Sequence, residues 1–393
     1  MSKQRIQSID ILRGLVMVIM ALDHVRAYFH LGAFGGFNDP TNLETTTPIL
    51  FFTRFITHFC APLFIFLAGT SGYLYSLKRS SQELSKFLFT RGLWLIFVEI
   101  VIMSFILRFD ASYGFISLQV IWAIGLCMII MSLLIYLPNK IILALGLVLV
   151  VGHNLIDGII AEGNSISSVF WYVLHQPHFF QLSENHFLRI QYPILPWIGV
   201  MALGYCFGRL YNSGFNIELR KKWLLWLGIS TTALFFLIRG INVYGDIVPW
   251  SIQNSTTLTV LSFLNVTKYP PSLAFLLITL GPSFLFLYAI ERIRNKTSNF
   301  LLVFGRVPFF FYILHLLLIH LSALIELVIT GGEWKLMILS REMFTSGHLS
   351  EYGYNLWVVY VVWILLIAIL YPICKKYMLY KKNNKDHWWL SYL

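Results

Sequence analysis

Charge is scarce in this chain. Of 393 residues only 12% are Asp, Glu, Lys or Arg, whereas 58% are hydrophobic and mean hydropathy is +0.72. So little polar surface does not cover a soluble particle of this size. The four cysteines, Cys60, Cys127, Cys206 and Cys374, lie in or beside apolar segments without paired spacing. That excludes a disulfide framework and a zinc cluster, and they read as packing residues. A P-loop, a Rossmann glycine fingerprint, an HExxH helix, a CxxC pair and a Gly-x-Ser-x-Gly elbow are all missing. An ATPase, a nicotinamide enzyme, a zinc protease and a serine hydrolase therefore lack support. No internal repeat or low-complexity tract is visible, and the inverted halves typical of many carriers are not seen.

Long apolar runs are what the chain does have. A spanning helix needs about 20 mainly apolar residues. Ten such stretches occur, near 11–30, 54–77, 87–107, 115–136, 140–161, 190–211, 223–243, 270–290, 300–327 and 355–378. An eleventh is open in 166–189 or 252–267. The expectation is an all-α, polytopic integral membrane protein of ten or eleven transmembrane helices, forming a single domain over residues 1–393. Lys3 and Arg5 precede the first run as in a signal peptide, but that run carries Asp10, Arg13, Asp23 and His24 without a small-residue cleavage site, so it reads as a retained span.

Lys and Arg number 29 against 18 Asp and Glu. They recur between the spans, which makes them topology signals and argues against nucleic acid as a partner. Lys3, Arg5, Lys78, Arg79, Lys86, Lys140, Arg220, Lys221, Lys222, Arg292, Arg294 and Lys296 fall on one side with the C-terminal lysines; Arg108, Arg189, Arg239, Lys268, Lys335 and Arg341 fall on the other. Both termini are therefore expected in the cytoplasm. The cluster from Lys381 to Lys385, followed by His387-Trp388-Trp389, reads as an interfacial anchor. Three loops on the outer side, 31–53, 162–189 and 244–269, are long and rich in Asn, Ser, Thr, His and aromatics, which suits a polar substrate.

Ionisable groups inside spans are costly and usually functional. Arg13, Arg91, Arg209 and Arg306 lie toward the cytoplasmic ends of the first, third, sixth and ninth spans. Guanidinium forks suit phosphate oxygens, so the four together point to a clamp for a ligand with several phosphates. Individually each could snorkel or pair locally, as Arg13 would with Asp10. His24 follows Arg13 by 11 residues, so the two share one helix face about 16 Å apart along the axis. A long ligand spanning that distance would place its reactive end at a histidine, which can accept and return a proton near neutral pH. Asp23 adjoins His24 but points about 100° away on the helix. His30, His58, His315 and His320, with Gln119, Trp122, Gln191, Lys268, Glu99 and Glu326, lie at comparable or more external depths. His315 and His320 face opposite sides of their helix, so only one is expected at the cavity. Individually these too have plainer readings: Glu99, eight residues after Arg91, could simply neutralise a buried cation.

The first span, Ser8-Ile9-Asp10-Ile11-Leu12-Arg13-Gly14 followed by Asp23-His24, resembles the opening of the heparan-α-glucosaminide N-acetyltransferase catalytic-domain family. Arg91-Gly92-Leu93-Trp94, the run from Leu118 to Gly125, Tyr192 to Gly199, Asn265 to Ser272 and Phe304 to Pro308 look like its bacterial members. The first span is also similar to that of bacterial membrane O-acyltransferases that decorate lipopolysaccharide and peptidoglycan, where a functional histidine follows an Arg-Gly pair at the spacing of His24 from Arg13. In the animal lysosomal enzymes the position matching His24 looks like an asparagine, and the catalytic histidine lies in the following loop, where this chain has His30.

The resemblance implies a membrane acyltransferase that moves an acetyl group from cytoplasmic acetyl-CoA to an extracytoplasmic sugar or glycan, on nitrogen or oxygen, in a bacterial inner membrane. The catalytic set is His24, Asp23 and His30, with either histidine as the base. Arg13, Arg91, Arg209 and Arg306 would hold acetyl-CoA, and Gln119, Trp122, Asn265, Lys268 and His315 the acceptor. No metal is expected; the partners are membrane lipid and the two substrates, and a homodimer is compatible. The competing reading is a transporter or flippase for an anionic lipid-linked sugar, whose pathway the same arginines and histidines would line.

Overall fold

The computed structural model describes residues 6–34, 39–340, 343, 346–384 and 386–391. Lys3, Arg5, Arg341, Lys385 and the side chain of Trp388 lie outside the described residues. The chain runs through α1 (Gln7–Phe29), α2 (Pro48–Thr57), α3 (Cys60–Ser76), α4 (Ser81–Phe97), α5 (Ser104–Arg108), β1 (Phe115–Leu118), α6 (Val120–Leu134), α7 (Asn139–Gly152) and α8 (Ile166–Leu174). It continues through β2 (His178–Gln181), β3 (Phe187–Ile190), α9 (Leu195–Phe207), α10 (Ile217–Ile241), α11 (Thr256–Leu264), α12 (Leu273–Ile290), α13 (Lys296–Arg306), α14 (Pro308–Ile329) and α15 (Leu356–Asn383).

Seven helical stretches among the described residues are long and apolar enough to cross a membrane: Pro48–Ser76, Ser81–Arg108, Asn139–Ile156, Ile217–Ile241, Leu273–Ile290, Pro308–Ile329 and Leu356–Asn383. Leu147 and Val148 on α7, Trp226 and Leu237 on α10, and Ile364 and Leu365 on α15 are exposed. In water such a belt would be unfavourable; against lipid tails it is the appropriate surface. All ten apolar stretches of the sequence contain helix, but they do not all meet that criterion. Helix α1 has 23 residues and carries Asp10, Arg13, Asp23 and Arg26, whereas α6 and α9 have 15 and 13 residues, about 22 and 20 Å of helix. The helices in the two regions that could have held an eleventh span are the nine-residue α8 and α11, each about 13 Å long and too short to cross; the first region also contributes β2 and most of β3. The ninth stretch is two helices, broken at Val307 where Pro308 opens α14.

The purely helical expectation misses a small sheet. β1 pairs in parallel with β3, which pairs antiparallel with β2. The strands are four residues each, too short for alternation to show beside long apolar helices. Their register sets Leu118 beside Ile190 and so brings the following residues, Gln119 and Gln191, together.

Charged α1 is nonetheless central, packed against α2, α3, α12, α13, α14 and α15. Three helix pairs cross at facing glycines: Gly14 with Gly305, Gly69 near Gly204, and Gly92 with Gly125. A Cβ at any of these six would stand within 2.7 Å of a backbone carbonyl oxygen. Small residues at crossings let backbones approach closely, and in lipid that packing takes the place of a hydrophobic drive between helices.

Candidate active site

Three adjoining cavities follow α1 from its start toward its end. The first, about 740 Å³, opens where α1 begins and is lined by Ser8, Asp10, Arg13, Lys78, Arg220, Arg292 and Arg294 among others. The second, about 360 Å³, shares Arg13 and Ser71 with the first and is otherwise largely apolar, with Met17, Phe64, Leu67, Leu95, Ile124 and Phe309 in its walls. The third, about 230 Å³, shares Phe64, Val120 and Tyr312 with the second and is polar, lined by Asp23, His24, Arg26, Arg54, Gln119, Gln191, Tyr192, Lys268 and Tyr269.

At the junction of the first two cavities the Arg13 guanidinium donates to Ser71 Oγ at 3.1 Å, to the Gly305 carbonyl at 3.3 Å and to Asp10 Oδ1 at 3.2 Å. Asp10 Oδ2 lies 3.7 Å from Arg306 Nε, so one buried carboxylate sits between two arginines. Local pairing of Arg13 with Asp10 and a place on the cavity wall are thus both realised. Arg91 lines the apolar chamber. Of the four arginines proposed as a clamp, Arg13 and Arg91 share a wall, and Arg306 adjoins them through Asp10. Arg209 is exposed in the short helix after α9 and is not among the residues lining these three cavities. The basic residues at the mouth are instead Lys78, Arg220, Arg292 and Arg294, of which Arg220 pairs with Glu291 and Arg292 with Glu218.

The polar cavity brings together residues from distant parts of the chain. Asp23 accepts from Arg26 Nη2 at 3.0 Å and is also paired with Arg54 of α2. It bonds to these arginines and not to His24, in keeping with its direction on the helix. The sheet delivers Gln119 and Gln191: the Gln191 N–H donates to the Leu118 carbonyl at 3.2 Å, and Ser117 Oγ donates to Gln191 Oε1 at 3.4 Å. Tyr192 and Tyr269 hydroxyls meet at 3.5 Å, and Lys268 Nζ stands 5.3 Å from the Tyr269 ring centroid. His24 Nδ1 lies 2.7 Å from Nε2 of His315, which is fully buried on α14. Of the two histidines on that helix, His315 is therefore the one that reaches the site, and it does so from behind His24.

Other residues singled out in the sequence sit elsewhere. His30 ends α1, pairing through its backbone with Tyr354, and does not line these cavities. Trp122 is buried and is not among the residues lining these cavities; its backbone N–H donates to Glu99 Oε2 at 3.1 Å. Asn265 donates its amide to the Thr41 carbonyl at 2.9 Å. His320 contacts the Ile106 and Met337 carbonyls at 2.8 and 2.9 Å and stacks on Phe109 at 3.8 Å. Glu99 is not the counter-ion of Arg91: a π-helical turn, Val98–Met103, aims it at the amide terminus of α6, which it caps. The residues missed were Arg54, Tyr192 and Tyr269. Tyr192 and Tyr269 lie inside the quoted runs, whereas Arg54 gave only a lone cation at the edge of an apolar run.

Cationic mouth, apolar passage and polar end form a sequence of environments matched to a phosphate-bearing ligand with a less polar arm, meeting a hydrophilic second substrate at a histidine. Among the described residues no cluster of three His, Cys, Asp or Glu side chains has metal-site geometry. A search of curated proteins finds no match to the chain. The family model described as heparan-alpha-glucosaminide N-acetyltransferase, catalytic, matches residues 5–238. The matched stretch holds Arg13, Asp23, His24, Arg54, Arg91, Gln119 and Gln191; Lys268, Tyr269, Arg306, Tyr312 and His315 lie beyond it. With more than half of its length matched, the chain belongs to the heparan-alpha-glucosaminide N-acetyltransferase catalytic family, and so among the membrane acetyltransferases.

Proposed function

We propose that the protein transfers an acetyl group from acetyl-CoA, entering at the basic end on the cytoplasmic side, to an amine or hydroxyl of a sugar or glycan reaching the polar cavity from the other side of a bacterial inner membrane. The observation that carries this is the order of the three cavities along α1, with Arg13 at one junction and His24 on the far wall. Eleven residues of helix separate the two, about 16 Å of rise, which is a span for an extended thioester arm.

In this reading Arg13 and Arg91, with Arg306 held near them by Asp10, bind the phosphates through charge-assisted hydrogen bonds. The Met17, Phe64, Leu67 and Phe309 walls exclude water from the arm. His24 takes the proton from the acceptor as its nitrogen or oxygen attacks the thioester carbon. Gln119 and Lys268 donate to the developing oxyanion. As the carbon–sulfur bond breaks, His24 returns the proton to the departing thiolate. Asp23, tied to Arg26 and Arg54, fixes the cationic wall that the acceptor meets.

The test is release of free CoA thiol by detergent-purified protein given acetyl-CoA and a panel of amino sugars and glycans. Turnover with no gradient, abolished by His24→Ala and retained by His30→Ala, supports the reading. Absence of acetyl-CoA binding in folded protein, with gradient-driven uptake of a lipid-linked sugar into vesicles, would overturn it in favour of a carrier.

A further inference from the structure

His315 contributes nothing to the cavity wall, yet it is fully buried, and both of its ring nitrogens are engaged. Its Nδ1 lies 2.9 Å from the Phe311 carbonyl oxygen, one turn earlier on α14. A carbonyl only accepts, so Nδ1 of His315 carries the hydrogen. In the neutral ring Nε2 is then the acceptor, and the 2.7 Å contact must be filled by a hydrogen on His24 Nδ1. That leaves Nε2 of His24 with its lone pair, and it has no hydrogen-bond partner among the described residues.

We infer that His315 is a positioning residue, which holds His24 in the Nδ1–H tautomer so that Nε2 is the basic atom facing the acceptor. The inference rests on the acetyl-transfer reading, in which His24 is the base. The usual partner of a catalytic histidine is a carboxylate, but Asp23 is engaged by Arg26 and Arg54. A second imidazole does the orienting in its place. Its own orientation is fixed on both sides: the His315 ring lies near-parallel to Phe311, 15° off with centroids 5.0 Å apart, and it meets His24 edge to edge through the 2.7 Å contact, the two imidazole planes 29° apart. When Nε2 of His24 accepts the acceptor's proton, the Nδ1–H bond to His315 strengthens, because the donor becomes cationic. The proton then passes to the thiolate and both rings return to their starting forms, so His315 itself neither gains nor loses one.

Four proteins test this: wild type, His24→Ala, His315→Leu and His315→Gln. Leucine fills the space without an acceptor, and glutamine restores an amide oxygen near the position of Nε2. Expected are a fall of kcat of about 100-fold or more in His315→Leu with KM for acetyl-CoA within about twofold, and recovery to within about tenfold of wild type in His315→Gln. NMR of isotope-labelled histidine should read His24 as the Nδ1–H tautomer in wild type and as a mixture in His315→Leu. Wild-type kcat in His315→Leu, or equal loss in the leucine and glutamine variants with an unchanged His24 tautomer, would overturn the inference. If His315→Leu does not fold, His315→Met takes its place in the same comparison. Normal turnover in His24→Ala sinks the assignment of the base instead, and the tautomer reading then judges the histidine pair separately.

Discussion

Gly14 on α1 and Gly305 on α13 meet backbone to backbone. A Cβ on Gly14 would stand 1.9 Å from the Leu301 carbonyl oxygen, and one on Gly305 would stand 1.8 Å from that of Asp10. The crossing brings the Arg13 guanidinium within 3.3 Å of the Gly305 carbonyl and places Asp10 between Arg13 and Arg306. Helix packing and the basic end of the cavities are thus one feature: what widens the crossing also pulls the arginines apart.

Gly14→Ala and Gly305→Ala should each lower the yield of monodisperse protein and the melting temperature in detergent by several degrees, with acetyl-CoA binding weakened in what remains. Gly240→Ala is the control. Nothing lies within 4 Å of a Cβ there, in the last turn of α10, so alanine displaces no neighbour. Size-exclusion profiles and thermal melts of the three variants decide the matter; equal behaviour of all three would refute the close crossing.

The arginines should differ in graded fashion. Arg13 and Arg91 line the chamber, so alanine at either should weaken acetyl-CoA binding by about 10- to 100-fold, the value of one or two charge-assisted hydrogen bonds. Arg306→Ala acts through Asp10 and should cost less, and exposed Arg209→Ala should have the smallest effect of the four. Calorimetric titration of each purified variant gives the order, and Arg209 ranking first would disprove it.

Asp23 holds two cations in the polar cavity. Asp23→Asn keeps the shape and removes the charge, leaving Arg26 and Arg54 facing each other; breaking such a partly buried pair commonly costs about 3–5 kcal/mol. Turnover should fall far more than acetyl-CoA affinity. Asp23→Asn combined with Arg54→Gln should be less impaired than the two single changes added together, because the unpaired cation has gone. Strict additivity in that cycle would show that the Arg54 contact carries no coupling.

Stability should respond to acid through Asp110, in the turn between α5 and β1. Burial opposes its ionisation, but hydrogen bonds from Ser112 Oγ at 2.5 Å, the Ser112 N–H at 2.9 Å and the Gly114 N–H at 3.0 Å outweigh it and hold the carboxyl below its usual range. A carboxyl depressed on folding contributes stability that is full above its unfolded value, about 3.9, and is lost as pH falls through the folded value. Melting temperature in detergent should therefore drop below about pH 4, and Asp110→Asn should be less stable at neutral pH with a shallower acid slope. Parallel melting curves for the two proteins from neutral to acid pH would contradict this.

Much of the architecture was legible because it is local. Twenty apolar residues in a row specify a helix in lipid whatever surrounds them, and the spacing of Arg13 and His24 on one helix fixes both their common face and their separation. Pairing with neighbours is different. Glu99 reads as a counter-ion to Arg91 by proximity along one helix, but the π turn redirects it to α6. Gln119 and Gln191 are unrelated in sequence and become neighbours through strands too short to detect beforehand.

The sequence by itself determined a membrane-embedded class, the positions of the long apolar helices, the charged face of α1 and, through its motifs, the family. Only the tertiary structure decided which histidine meets His24, from a helix 291 residues along the chain, which arginine shares Asp23, and which of the four candidate cations reach a cavity. The physical reason is that hydrophobic periodicity encodes which residues leave water or face lipid. The partner of a buried polar group depends on how helices cross, and in this protein facing glycines on different helices, invisible as pairs until folded, set those crossings.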